Sequence, residues 1–383
     1  MSPSTTTPTP GVATRRLALD VLGRIEGDGA YANLALGPAL ERAGMDERDR
    51  GLVTELVYGT TRMRRACEFL VRRHRDGGVS DRVAAALRLG AYQLAFAGIA
   101  PHAAVDATVA ASPKPARGLV NAVLRRIAAD VVDGPDAVDW PDLATRLSYP
   151  GGIVGALTET LGDAAPGALA AMNSPATVHV REDGYVQDLA SQHVVAAVGA
   201  EPGELVLDLC AAPGGKATGL ASTDARVVAA DIGPGRVALI AENSTATGRP
   251  LAPLAADGVR APFADDRFDR TLVDAPCSGL GVLRRRPDAR WRIEADDVDR
   301  LADLQVALLG EAARVTRPGG TVVYSVCTLT AAESDGVLDR LASEPRLHLI
   351  GRDTLVPDDD RDGMFLATFR VSTADGAVGN AHR

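Results

Sequence analysis

The sequence predicts a multidomain chain: an all-α N-terminal domain followed by an α/β domain built on a doubly wound, mostly parallel sheet. Three observations carry this. From Thr14 to about Ala129 apolar residues recur at three- and four-residue spacing with no strand signal. From Glu204 onward, short apolar runs alternate with helical stretches. The charge also divides along the chain: the net value is −9, yet residues 1–130 hold 18 Arg and Lys against 13 Asp and Glu. The basic surplus is therefore N-terminal, and the acidic average is a poor argument against a nucleic-acid partner. With 383 residues, 46% hydrophobic and 24% charged, the chain has ample material for large cores and is too apolar for a disordered polymer.

In order along the chain, residues 1–13 are polar and read as a disordered leader with no apolar signal segment. No run approaches about 18 apolar residues, so no membrane span is expected and a cytoplasmic protein fits best. Residues 14–130 form the helical domain, punctuated at Gly27-Asp28-Gly29, Asp76-Gly77-Gly78 and Ser112-Pro113-Lys114-Pro115. Residues 131–200 form a connector with Gly and Pro spread through it and helices expected around 152–172 and 187–198. Residues 201–373 form the α/β domain, with strands expected at 205–209, 226–230, 251–255, 271–273 and 321–325, and 374–383 is a tail. The four cysteines, Cys67, Cys210, Cys277 and Cys327, form no CxxC pair, so neither a disulfide framework nor a metal site is signalled.

Candidate chemistry lies beyond the strand ends, where ligands bind in open α/β sheets. The first strand runs into a glycine turn, Cys210-Ala211-Ala212-Pro213-Gly214-Gly215-Lys216, which matches neither the GxGxxG fingerprint nor a phosphate loop. Further strand ends carry Asp231, Asp257 and Asp274. One such carboxylate could be a helix cap; all of them at one edge suit a ligand with a ribose and a positive sulfonium. Two cysteines follow strand ends at the same edge, Cys277 in DAPCSGLGV and Cys327 in VVYSVCTLT. A thiol near helix N-termini and Lys216 can act as a thiolate nucleophile. These parts suit methylation at C5 of a pyrimidine: a thiolate adds to C6, C5 becomes nucleophilic, and a carboxyl group such as Asp274 assists at the N3/N4 edge. The residues alone do not choose between the two cysteines. Arginines cluster at Arg62, Arg64, Arg65, Arg72, Arg73, Arg125 and Arg126 in the helical domain, and at Arg284, Arg285, Arg286, Arg290 and Arg292 after Cys277. Both clusters are candidate RNA contacts.

The segments DLCAAPGGK (208–216), DAPCSGLGVLRRRPDARWR (274–292), YSVCTLTAAE (324–333) and DGMFLATF (362–369) resemble the motif set of the RsmB (Sun/Fmu) branch of RNA cytosine-5 methyltransferases. The helical domain, ending in GLVNAVLRRI (118–127), resembles the NusB-like RNA-binding domain fused to that enzyme. The resemblance covers nearly the whole chain from about residue 14. It implies a Rossmann-like class I methyltransferase domain and S-adenosylmethionine as cofactor. It implies Cys327 as nucleophile, Cys277 in product release and Asp274 at the cytosine edge. Around the cofactor it implies residues 210–216, with Asp231 at the ribose, Arg236 nearby, and Asp257 by the adenine. The implied partner is RNA, chiefly small-subunit ribosomal RNA, with no membrane, no metal and a monomeric enzyme. One departure stands out. In the family, several dozen residues of a small RNA-binding subdomain separate a strand like Ala176–Arg181 from a stretch like Gly184–Asp188. Here the two are almost adjacent, so an assembly protein without turnover is the competing expectation.

Overall fold

The computed structural model describes residues 11–373; the first ten residues of the expected leader and the tail 374–383 lie outside them. The chain divides into two compact units. One comprises the residues up to Gly151 together with Arg286–Arg292, the other Gly152–Arg285 and Ile293 onward.

The first unit is all helical: α1 Val12–Gly27, α2 Ala32–Ala43, α3 Glu47–Arg62, α4 Arg64–Arg72, α5 Asp81–Ala95, α6 Pro101–Ala111, α7 Arg117–Asp130 and the short α8 Leu143–Arg146. The first helix starts two residues inside the expected leader. Asp46 caps α3 by accepting from the Asp49 amide at 2.8 Å, which satisfies one of the amides a helix start leaves open. At the centre, α5 is buried on nearly every side from Ala85 to Gln93, as expected of a helix with small and apolar residues all round. Leu19 and Leu22 of α1, Leu56 of α3, and Leu124 and Ile127 of α7 complete this core.

The helical unit does not stop at residue 130. Within residues 131–151, Val131 and Val138 join its core, Trp140 packs against it, and Tyr149 is wholly buried. Arg65 fixes this return strand of chain. Its amide donates to Ser148 Oγ (2.9 Å), its Nε to Thr145 Oγ1 (3.1 Å), and its Nη1 to the Tyr149 carbonyl (2.9 Å).

The second unit opens with α9 Gly151–Leu161, α10 Ala165–Ala171 and α11 Leu189–Val198, close to the expected helices. The expected strand at Ala176–Arg181 is reduced to one antiparallel bridge, Val180 with Val186. The sheet follows: β1 Leu205–Asp208, β2 Arg226–Asp231, β3 Ala252–Ala255, β4 Phe268–Asp274, β5 Thr316–Val326, β6 Leu347–Leu355 and β7 Met364–Val371. Its order is β3-β2-β1-β4-β5-β7-β6. The first five strands run parallel, and β7 is antiparallel to both β5 and β6. Helices α12 Gly215–Ala221, α13 Pro234–Thr247, α14 Ala295–Val315 and α15 Asp335–Leu341 connect them. The doubly wound, mostly parallel sheet is as predicted. The pair β6 and β7 adds to it; β6 is an edge strand with six consecutive exposed residues and so has no apolar alternation to read. Among the described residues no helix is long and apolar enough to cross a membrane.

Candidate active site

Parallel strands β1, β2 and β4 end in Asp208, Asp231 and Asp274, and β5 ends one residue before Cys327. Register therefore delivers three carboxylates and a cysteine to one edge of the sheet. The turn after β1 passes through Gly214, whose φ of +109° a side chain rarely adopts and whose missing Cβ would lie 3.1 Å from Ile240 Cα. Gly215 opens α12 beneath Tyr185, whose ring would stand 2.7 Å from any Cβ there. Arg181 of the shortened connector anchors the same turn, donating to the Gly215 carbonyl (2.6 Å) and Thr218 Oγ1 (3.0 Å).

Asp231 is 3% exposed and accepts from the Ala212 amide (3.1 Å) and pairs with Arg236 Nε (2.8 Å). Asp257 is exposed and accepts from the Val259 amide (3.1 Å). Both line a cavity of about 130 Å³ with Cys210, Ile232, Arg236, Val259, Pro276, Leu304 and Leu308. The cavity thus has an apolar floor and a carboxylate at its rim. Burial first, and then the carboxylates of Asp208, Asp274 and Asp231, push the Cys210 thiol well up, so Cys210 is a wall and not a nucleophile.

Lys216 Nζ donates to Asp274 Oδ2 at 2.7 Å, and Ser325 Oγ donates to Asp274 Oδ1 at 2.8 Å. Burial works to strip the Lys216 ammonium, but Asp274 more than restores it and its pKa stands above the ordinary lysine value. Asp208, fully buried behind them, is pushed up to about 8 by burial and next by the Asp274 charge. It is therefore a neutral acid at pH 7, and the Lys216–Asp274 pair keeps its own charge balance.

The two cysteines face each other with Sγ atoms 3.3 Å apart. They differ electrostatically. The Cys327 thiol is held below the ordinary thiol range, first by its hydrogen bond with Cys277, with Lys216 also favouring the thiolate against burial and Asp274. The Cys277 thiol is pushed well up, first by that same hydrogen bond, then by burial, by Cys327, and by the Glu333 and Asp274 charges. The arrangement suits a Cys327 thiolate supported by a Cys277 S–H.

The arginines divide. Arg72, Arg125 and Arg126 are exposed on the helical unit, Arg72 beside Glu68 (3.1 Å) and Arg125 beside Asn121 (3.2 Å); Arg73 pairs with Asp130 (3.3 Å). Arg64 lies over the Trp291 ring, 5.6 Å from its centroid. Others are corrected as phosphate contacts. Arg62 is 7% exposed, and Arg65 is bonded as described above. Arg284, 4% exposed, pairs with Asp362 (3.1 Å) and donates to the Asp358 and Arg361 carbonyls. Arg290 is wholly buried, its guanidinium 4.0 Å from the Tyr149 ring centroid. Arg285 pairs with Asp188 (2.8 Å) and Asp362 (2.6 Å), and Arg292 with Asp288 (3.4 Å), donating also to the Gly29 and Ala30 carbonyls. Arg285 and Arg286 of that run are exposed, Arg285 being held by its two carboxylate partners.

The residues behind the cysteines carry no local sequence signal. Tyr324 and Glu333 lie within YSVCTLTAAE, but no pattern there marks their side chains as partners of the cysteine loops, and Gln305 is an ordinary mid-helix position of α14.

The family described as 16S rRNA methyltransferase RsmB/F matches residues 195–370, and the NusB family matches residues 12–129. The ribosomal RNA small subunit methyltransferase B of Thermus thermophilus is 35% identical, covering 85% of this chain and 86% of that protein. Its counterpart in Vibrio cholerae is 31% identical over 374 positions, covering 81% of this chain and 85% of that protein. Those 374 positions exceed 81% of 383 residues, so that relative carries residues with no counterpart here. The crystal structure of PH0851 shares the fold, with a TM-score of 0.72 at 19% identity over 95% of this chain and 99% of that one.

Proposed function

The chain belongs to the RsmB/F family of 16S rRNA methyltransferases, and from that premise we propose that it methylates C5 of a cytosine in small-subunit ribosomal RNA through a covalent adduct of Cys327 with C6. S-adenosylmethionine is the cofactor of this family, and the residues present suit it. Ile232, Val259 and Leu308 offer an apolar bed for adenine, Asp231 an acceptor for ribose hydroxyls, and the surrounding carboxylates attraction for a sulfonium. When bound, it supplies an electrophilic methyl group.

The chain's own residues supply the rest. Cys327, as thiolate, adds to C6 and makes C5 nucleophilic. Asp274, held between Lys216 and Ser325, accepts a hydrogen bond from the N4 amino group at the N3/N4 edge, and the Lys216 ammonium beside it offsets the negative charge that develops on the ring. After methylation a base takes the C5 proton, the C5–H electron pair re-forms the C5–C6 double bond and expels the Cys327 thiolate, and Cys277, 3.3 Å from Cys327, assists release. The target base must leave its stack to reach such an edge. The exposed Arg72, Arg125 and Arg126 are proposed as phosphate contacts.

The observation that carries this reading is the pair of opposed sulfurs beside the Lys216–Asp274 ion pair. Purified protein is to be incubated with labelled cofactor and small-subunit RNA. Cys327→Ala is expected to abolish methyl transfer, and Cys277→Ala to accumulate an RNA–protein adduct that survives denaturing electrophoresis. Full methylation by Cys327→Ala overturns the covalent assignment.

A further inference from the structure

Glu333 lies six residues beyond Cys327, is 0% exposed, and takes no part in the reaction above. Its carboxylate accepts from the Ser278 amide (2.8 Å), Ser278 Oγ (2.5 Å), Thr330 Oγ1 (2.9 Å) and Gln305 Nε2 (3.1 Å). Four donors converging on two oxygens suit an ionised carboxylate, which is an acceptor only. The network reaches both cysteine loops. Gln305 Nε2 also donates to the Pro276 carbonyl at 2.9 Å, and Ser278 Oγ lies 2.8 Å from Thr328 Oγ1. The Tyr324 hydroxyl lies 2.9 Å from Gln305 Oε1 and 2.7 Å from the Glu333 carbonyl, closing the network from β5. Both neighbours of Cys277 and the residue after Cys327 are therefore tied to one buried charge.

We infer that Glu333 is a positioning residue that divides the roles of the two cysteines, holding Cys277 against Cys327 and keeping the shared proton on Cys277. The charges around the pair support the division. Asp274 disfavours the thiolate on both sulfurs. Lys216 favours the thiolate at Cys327, whereas Glu333 disfavours it at Cys277, where the Tyr324 hydroxyl also sits close. Between two sulfurs 3.3 Å apart, the proton settles on the one beside the negative charge. Cys327 is then ready to attack, and Cys277 enters the reaction carrying S–H. The role division rests on the proposed function, but the proton bias is measurable without RNA or cofactor.

The test is alkylation of the full chain by iodoacetamide between pH 6 and 9, with the modified cysteines mapped by peptide mass spectrometry. In the parent protein Cys327 is expected to react first at pH 7, with Cys67, wholly buried, as the unreactive control. Glu333→Gln keeps the size of the side chain and removes its charge; it is expected to reduce the Cys327 preference about tenfold, equivalent to about one pKa unit. Glu333→Asp, which keeps the charge, should recover part of it. Ser278→Ala removes the hydroxyl's two hydrogen bonds, to Glu333 and Thr328, and keeps the Glu333 charge and the Ser278 amide bond to it, so it should lower the melting temperature while preserving the preference. An unchanged ratio in Glu333→Gln overturns the inference, and equal loss of preference in Ser278→Ala shows that packing and not charge sets it. A parent protein that prefers Cys327 in alkylation yet methylates fully as Cys327→Ala would defeat the proposed function and leave the proton bias standing.

Discussion

Arginines cluster in sequence both on the helical unit and after Cys277, yet the fold uses them in opposite ways. Arg72, Arg125 and Arg126 stand in solvent with at most an exposed neighbour on the same helix. Arg284 and Arg290 are buried, and their guanidinium groups bind carbonyls and an aromatic ring of irregular chain. Five fixed donors per guanidinium make arginine an effective partner for backbone carbonyls that no helix or strand satisfies. A run of positive charge close in sequence to the cysteine loops can therefore be structural within each unit, and the electrostatic footprint for RNA counts only arginines that reach solvent.

Substitutions at the two places should therefore separate stability from RNA affinity. The largest stability effect is expected at Arg290. Replacing it with Ala leaves a cavity beneath Tyr149 and removes donors from the Ser148 and Arg62 carbonyls (3.2 and 3.4 Å), lowering unfolding free energy by about 3 kcal/mol in urea melts. A change below about 0.5 kcal/mol would place Arg290 among ordinary surface residues and erase the contrast. Arg284→Ala should cost somewhat less, about 2 kcal/mol, because Arg285 still pairs with Asp362 at 2.6 Å. Its effect should shrink when Asp362→Asn is already present, which a double-mutant cycle measures. At the other extreme, Arg72→Ala, Arg125→Ala and Arg126→Ala should each leave stability within about 0.5 kcal/mol. Each that touches a phosphate should reduce the slope of log affinity against log salt for RNA by about 1. A salt slope unmoved by all three would shift the RNA footprint away from this face.

Much of the fold was legible because its signals are local. Three- and four-residue spacing marks α1, α3 and α5, and short apolar runs mark β1, β2 and β5. The strand ends fixed Asp231, Asp274 and Cys327 as neighbours, because a parallel sheet brings such ends to one edge. The exposed edge strand β6 was not legible, since pairing with β7 rather than hydrophobic pattern defines it. Nor was the run from 131 to 151, whose attachment to the helical unit depends on Arg65 meeting Thr145, Ser148 and Tyr149 some eighty residues away. The segment Arg286–Arg292 likewise belongs to the helical unit although it lies between catalytic motifs in sequence.

By itself, the sequence determined the two architectures and the residue types that the strand ends gather at one edge of the sheet, since periodicity and strand-end position are properties of neighbouring residues. Tertiary structure alone decided which charges remain available and how the two cysteines differ. Burial and the distances from Lys216 to Asp274 and from Glu333 to Ser278 arise from contacts between distant segments, and electrostatic energy depends on those separations and on exclusion of water, neither of which is written in residue order.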